Sequence, residues 1–97
     1  MQKQEIEAWI AKREAILDGL RSILVRSLRV PLPLHAIDPD AMLFGTGLAL
    51  DSIDALELVV AAEEKFSVDL PDADVEQKLR TLNSFVDLIL AKQESLA

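Results

Sequence analysis

Apolar residues recur at intervals of three and four through the first third of the chain, at Ile6, Trp9, Ile10, Ile16, Leu17, Leu20, Ile23, Leu24 and Leu28. That spacing puts them on one helical face, and no proline interrupts before Pro31. It predicts a helix from about Gln4 to Arg29, roughly 39 Å long at 1.5 Å per residue, which is more than a small bundle can cover. Gly19 is its weak point, costing about 1 kcal/mol relative to alanine in a helix interior. Pro31 and Pro33 then force a loop over residues 30 to 37, because each lacks an amide donor and restricts the residue before it. Asp38-Pro39-Asp40-Ala41 reads as a short helical start, with Asp38 as N-cap and Pro39 at the first helical position, and Leu43 and Phe44 follow as core anchors.

A second helical pattern opens at Ser52. At 100° per residue Ala55, Leu58, Val59, Ala62 and Phe66 share one side, while Ile53, Glu57, Val60 and Glu64 lie opposite. An ordinary solvated face is uniformly polar, so Ile53 and Val60 among Asp54, Glu57 and Glu64 point to a docking surface for basic proteins. Ser67-Val68-Asp69-Leu70-Pro71 alternates and ends in proline, which predicts an extended connector with Val68 and Leu70 inward. Residues 72 to 78 predict a short helix with acidic residues near its N-terminus. Residues 81 to 84 supply caps for a last helix running to about Lys92, with Phe85, Leu88 and Ile89 inward. The expected fold is all-α: an antiparallel four-helix bundle with a short third helix and a long N-terminal helix.

At 97 residues the chain has room for one modest core. It has no cysteine, so any thiol it uses must be borrowed. No apolar h-region opens the chain and no apolar run approaches 18 residues, so neither export nor membrane insertion is indicated, and a cytoplasmic, monomeric protein is expected. Charge is uneven: residues 1–30 carry six Lys or Arg against four Asp or Glu, net +2, and residues 31–97 carry four against thirteen, net −9, summing to −7. So negative a second half repels nucleic-acid phosphates and steers toward basic protein patches.

The candidate chemistry lies in Leu48-Ala49-Leu50-Asp51-Ser52-Ile53-Asp54, where a serine stands between two carboxylates at a helix start. Taken alone, Ser52 or Asp51 could simply cap the helix. A hydrolase nucleophile elbow is ruled out, since Leu50 and Asp54 stand where that motif needs glycine. Gly45-Thr46-Gly47 lacks the Lys-Ser/Thr pair of a phosphate loop and reads as a turn that brings the loop close to the following helix. His35 has no cysteine or second histidine to complete a site and is assigned no role.

The Asp51-Ser52-Ile53 motif, its Gly-rich lead-in, the acidic helix after it and the segment from Glu63 to Pro71 resemble the acyl carrier protein family over roughly residues 16 to 93. The resemblance implies that Ser52 carries a covalent 4'-phosphopantetheine arm whose thiol holds acyl chains as thioesters, and that the chain catalyses nothing itself. It implies that Asp51 and Asp54 help a phosphopantetheinyl transferase recognise the site. Ile53, Leu56, Glu57, Val60, Glu63 and Glu64 would meet acyl-processing enzymes, such as a ketosynthase or acyltransferase, through their basic docking patches. Phe44, Leu58, Ala62, Val68, Leu70 and Leu79 would line the space an acyl chain enters. The family's first helix matches about Ile16 to Leu28, which leaves residues 1–15 as a helical extension and residues 16–97 as the carrier domain. Trp9 and Ile10 on that extension are expected to fold back onto the domain, the alternative being contact with a partner or a second copy. Ile53 for leucine, Ala49-Leu50 before the motif, Lys65 in the acidic run and the extension depart from the housekeeping pattern, so a specialised lipid, polyene or polyketide pathway stands beside fatty acid synthesis. The rival reading from another class is an unmodified helical adaptor that binds basic partners through its acidic face.

Overall fold

In a computed structural model, which describes residues 2–95, the predicted periodicities become four helices: α1 (Lys3–Ser22), α2 (Ser52–Phe66), α3 (Asp72–Lys78) and α4 (Leu82–Ser95). Met1 and residues 96 and 97, the outer ends of the two segments assigned above, lie outside the described residues. Among the described residues the extended pairing is a single isolated bridge, Met42 with Thr81. The core gathers the inward faces: Ile16, Leu20, Ile23 and Leu24 from α1 and the turn after it, Leu58 and Ala62 from α2, and Leu82, Phe85, Val86 and Ile89 from α4.

The first helix ends earlier than its periodicity predicts. After Ser22 the chain widens into a π-turn over Ile23–Ser27, where the Leu28 amide reaches back five residues to the Ile23 carbonyl at 3.1 Å. Arg29 then takes a left-handed φ of 59°, and the Val30 amide bonds the Leu24 carbonyl at 2.9 Å, which satisfies carbonyls a continuing helix would have used. Helix and π-turn together run about 37 Å at 1.5 Å per residue, nearly the full 39 Å of the molecule's longest dimension.

Gly19 repays its helix propensity by close approach. It is buried, and a Cβ there would lie 2.7 Å from Phe66 Cζ and 3.0 Å from Lys65 Cε, so the missing methyl lets α2 settle onto α1. Lys65 thereby lies along α1, away from the acidic face that its sequence position interrupts.

Two further expectations are corrected. Asp38-Pro39-Asp40-Ala41 forms a turn and no helix: the Asp40 amide donates to Asp38 Oδ1 at 2.9 Å and the Ala41 amide to the Asp38 carbonyl at 3.1 Å. Helix cannot propagate from it, because Met42 and Leu43 are drawn into pairing with the start of α4, Leu43 N–H donating to the Arg80 carbonyl at 2.9 Å. The N-terminal extension folds back only in part. Ile6, Trp9 and Ile10 keep 41, 42 and 44 % exposure, because α1 continues through them as helix beyond the buried stretch that begins at Ile16. Arg13 tethers this segment to α4, stacking over Trp9 at 5.3 Å and pairing with Asp87.

The connector and third helix match expectation. Ser67 ends α2 in the left-handed conformation, Val68 and Leu70 turn inward, and α3 is tied to α4 by the Lys92–Asp74 ion pair at 2.8 Å. Thr81 and Ser84 cap α4 reciprocally, each side chain accepting from the other's amide at 3.1 and 3.0 Å, and α4 runs three residues beyond the expected Lys92.

Candidate functional site

Asp51 and Ser52 are adjacent and either could cap α2; the backbone chooses. Asp51 is extended at φ −94° and ψ −179°, and its Oδ1 accepts from the Asp54 amide at 2.8 Å. Asp54 Oδ2 accepts from the Asp51 amide at 3.2 Å in return, a capping box made of two carboxylates. Ser52 is therefore the first helical residue. Its hydroxyl is exposed and engages no hydrogen-bond partner among the described residues. Asp51 and Asp54 on either side of it each commit one carboxylate oxygen to a backbone amide, at the helix end where the macrodipole favours negative charge. A phosphodiester on Ser52 Oγ would meet that same positive end, with open solvent above it and no buried neighbour to displace.

Beyond Ser52 the outer face of α2 is as the periodicity predicted. Ile53 and Leu56 are 68 and 65 % exposed, with Val60, Glu57 and Glu64 also in solvent. Leu56, Glu57, Val60, Ala61 and Glu64 form one wall of a groove of about 400 Å³. Ser27, at the end of the π-turn, forms the other. Ser27 and Ala61 are additions to the sequence reading. Ser27 carries no signal in the sequence, since only packing brings it to a helix that starts 25 residues later.

Glu63 sits apart from this face. It is half-buried, and its Oε2 accepts from the Leu70 amide at 3.0 Å, so it holds the connector against α2. Leu58, Ala62, Val68, Leu70 and Leu79 are buried core residues, and Phe44 packs against them half-buried. His35 lies exposed in a short 3₁₀ turn.

A family model described as a phosphopantetheine attachment site matches residues 18–89. The chain is 39 % identical over 84 residues to an acyl carrier protein of Cyanidioschyzon merolae, covering 87 % of this chain and 88 % of that one. It is 37 % identical over 79 residues to an acyl carrier protein of Picosynechococcus, covering 81 % and 93 %. A Campylobacter curvus acyl carrier protein is 35 % identical over 79 residues, covering 77 % and 92 %. The chain belongs to the acyl carrier protein family. The cofactor of the family is 4'-phosphopantetheine, attached covalently, and its members are carriers rather than catalysts. The all-helical bundle agrees with that membership. No described helix is long and apolar enough to cross a membrane.

Proposed function

We propose that Ser52 is the residue that carries the arm, and that the protein shuttles thioester-bound acyl or polyketide-like intermediates between separate enzymes. The observation that carries this reading is the capping box of Asp51 and Asp54, which relieves Ser52 of any part in the helix cap and leaves its hydroxyl free. When bound, the group supplies the thiol that this cysteine-free chain lacks. The chain's own contribution is presentation: a hydroxyl fixed on the first turn of a rigid helix, between two carboxylates that serve recognition by the phosphopantetheinyl transferase.

Acyl-processing enzymes, a ketosynthase or acyltransferase among them, dock on Ile53, Leu56, Glu57, Val60 and Glu64. The apolar side chains supply contact area and the acids steer basic patches. Glu63, set apart from that face, adds to the negative potential around it while its carboxylate holds the connector. An acyl chain drawn off solvent would part Leu58, Ala62, Val68, Leu70 and Leu79 and slide past Phe44, and Ala62, fully buried and small, is where room is most easily made. The acidic second half disfavours nucleic acid as a partner, and we place the protein in the cytoplasm as a monomer. The pathway is fatty acid synthesis or a specialised lipid, polyene or polyketide route.

Co-expression with a broad-specificity phosphopantetheinyl transferase tests the reading. The wild type gains one phosphopantetheine mass and Ser52→Ala gains none. An unmodified wild type, beside a control carrier that is modified, would favour the adaptor that binds only through its acidic face.

A further inference from the structure

The residues before Ser52 are anchored far more firmly than a connecting loop requires. Leu50 is only 8 % exposed, and its N–H donates to the Leu43 carbonyl at 2.8 Å. Leu43 is itself fully buried and donates to the Arg80 carbonyl at 2.9 Å, so a chain of backbone bonds runs from the entry of α4 to within two residues of Ser52. Gly47, at φ +74°, packs against the neighbouring Met42 backbone: a Cβ there would fall 2.4 Å from the Met42 carbonyl oxygen. Between Gly47 and Leu50 stands Ala49, at φ +52°. Left-handed backbone strains any residue with a Cβ, and a glycine would make this turn without strain while also sampling others.

We propose that Ala49 and Leu50 are positioning residues for the loading of Ser52. The Leu50 side chain, sunk in the core, fixes the near end of the lead-in, and Ala49 limits the conformations open to its backbone. The modifying transferase then meets a hydroxyl already in one presentation and does not have to order a loop on binding. A site that is competent only part of the time binds more weakly by that fraction, so loosening the lead-in raises KM and leaves the chemical step alone. In that step Ser52 Oγ bonds to the phosphorus that bears the pantetheine in coenzyme A. The pyrophosphate P–O bond breaks, adenosine 3',5'-bisphosphate leaves, and the hydroxyl proton passes to a base of the transferase or to solvent. This inference rests on Ser52 being the attachment residue.

Ala49→Gly separates positioning from stability, since it relieves backbone strain while freeing the loop. Leu50→Ala removes the anchor, and Leu50→Met restores its volume. The experiment measures kcat and KM for loading from coenzyme A by a purified broad-specificity transferase, well below the melting temperature, alongside melting curves and amide exchange at Leu50. Ala49→Gly is expected to raise KM about 3- to 10-fold with kcat within about twofold and melting temperature undiminished. Leu50→Ala is expected to raise KM by a similar factor, with faster exchange at position 50 and, because the side chain is buried, a lower melting temperature, and Leu50→Met to return KM toward wild type. Unchanged KM in Ala49→Gly, with the wild type loading normally, would overturn the inference. So would a KM change confined to Leu50→Ala and matched by its loss of melting temperature. A wild type that takes up no group at all would instead overturn the assignment of Ser52, and this inference with it.

Discussion

Asp51 takes the cap so that Ser52 does not have to. Both are good N-cap residues, and the sequence places them side by side, so residue type alone leaves the choice open. Only the backbone angles resolve it, so the sequence singles out Ser52 as the candidate attachment residue without showing why its hydroxyl is free of the cap. Asp51→Ala should cost about 1 kcal/mol of stability, read as a lower melting temperature, and Asp51→Asn, which keeps the acceptor, should cost much less. Equal losses for the two would show that the cap is unimportant. Gly19 carries a comparable lesson. Propensity marks it as a defect, yet the clash of an added Cβ with Phe66 makes it a contact residue. Gly19→Ala gains about 1 kcal/mol of helix propensity and loses about 1 to 3 to overpacking, so the melting temperature should fall. A rise would mean that the Phe66 ring moves aside freely. Glu63 could not have been separated from Glu57 and Glu64 by composition, because its partner, the Leu70 amide, reaches it only once the connector has folded.

At the level of elements, the buried face of α2 and the inward residues of α4 follow from apolar periodicity, and the bounds of α3 from the acidic residues at its start. One segment departs from its sequence pattern because non-local pairing decides it. Residues 38–41 have good helix-start chemistry, and the bridge between Met42 and Thr81 overrides it. The end of α1 differs for a local reason, a π-turn that no residue type announces. The outer face of α2 supports a charge test. Replacing Glu57 and Glu64 with Lys should slow transfer to a cognate enzyme at low salt and reduce its salt dependence, with helicity retained, since exposed substitutions usually change stability by less than about 0.5 kcal/mol. Equal rates for variant and wild type at low salt would remove these acids from steering. The N-terminal overhang of α1 supports another. Ile6, Trp9 and Ile10 are each only partly covered, so deleting residues 1–12 should cost about 1 kcal/mol, a fall in melting temperature of no more than about 8 °C. Loss of the fold on truncation would show that the segment belongs to the core.

Taken whole, the molecule separates its tasks by region. The mildly basic first third forms the long structural helix, and the strongly acidic remainder holds the candidate serine, the face proposed for docking and the connector. That polarity was legible from charge counting, and the all-α architecture from hydrophobic spacing. Three-dimensional closure added what neither could: the groove completed by Ser27 and the bonded lead-in before Ser52. The central claim is that the arm is carried at Ser52, and peptide-level mass spectrometry of the transferase-treated protein tests it most directly. Phosphopantetheine is expected on the peptide containing Asp51-Ser52-Ile53, fragmenting to Ser52 alone, with Ser22, Ser27, Ser67, Ser84 and Ser95 unmodified. A modified protein with the group on any other residue, or a protein that stays unmodified under conditions that load a control carrier, would contradict it.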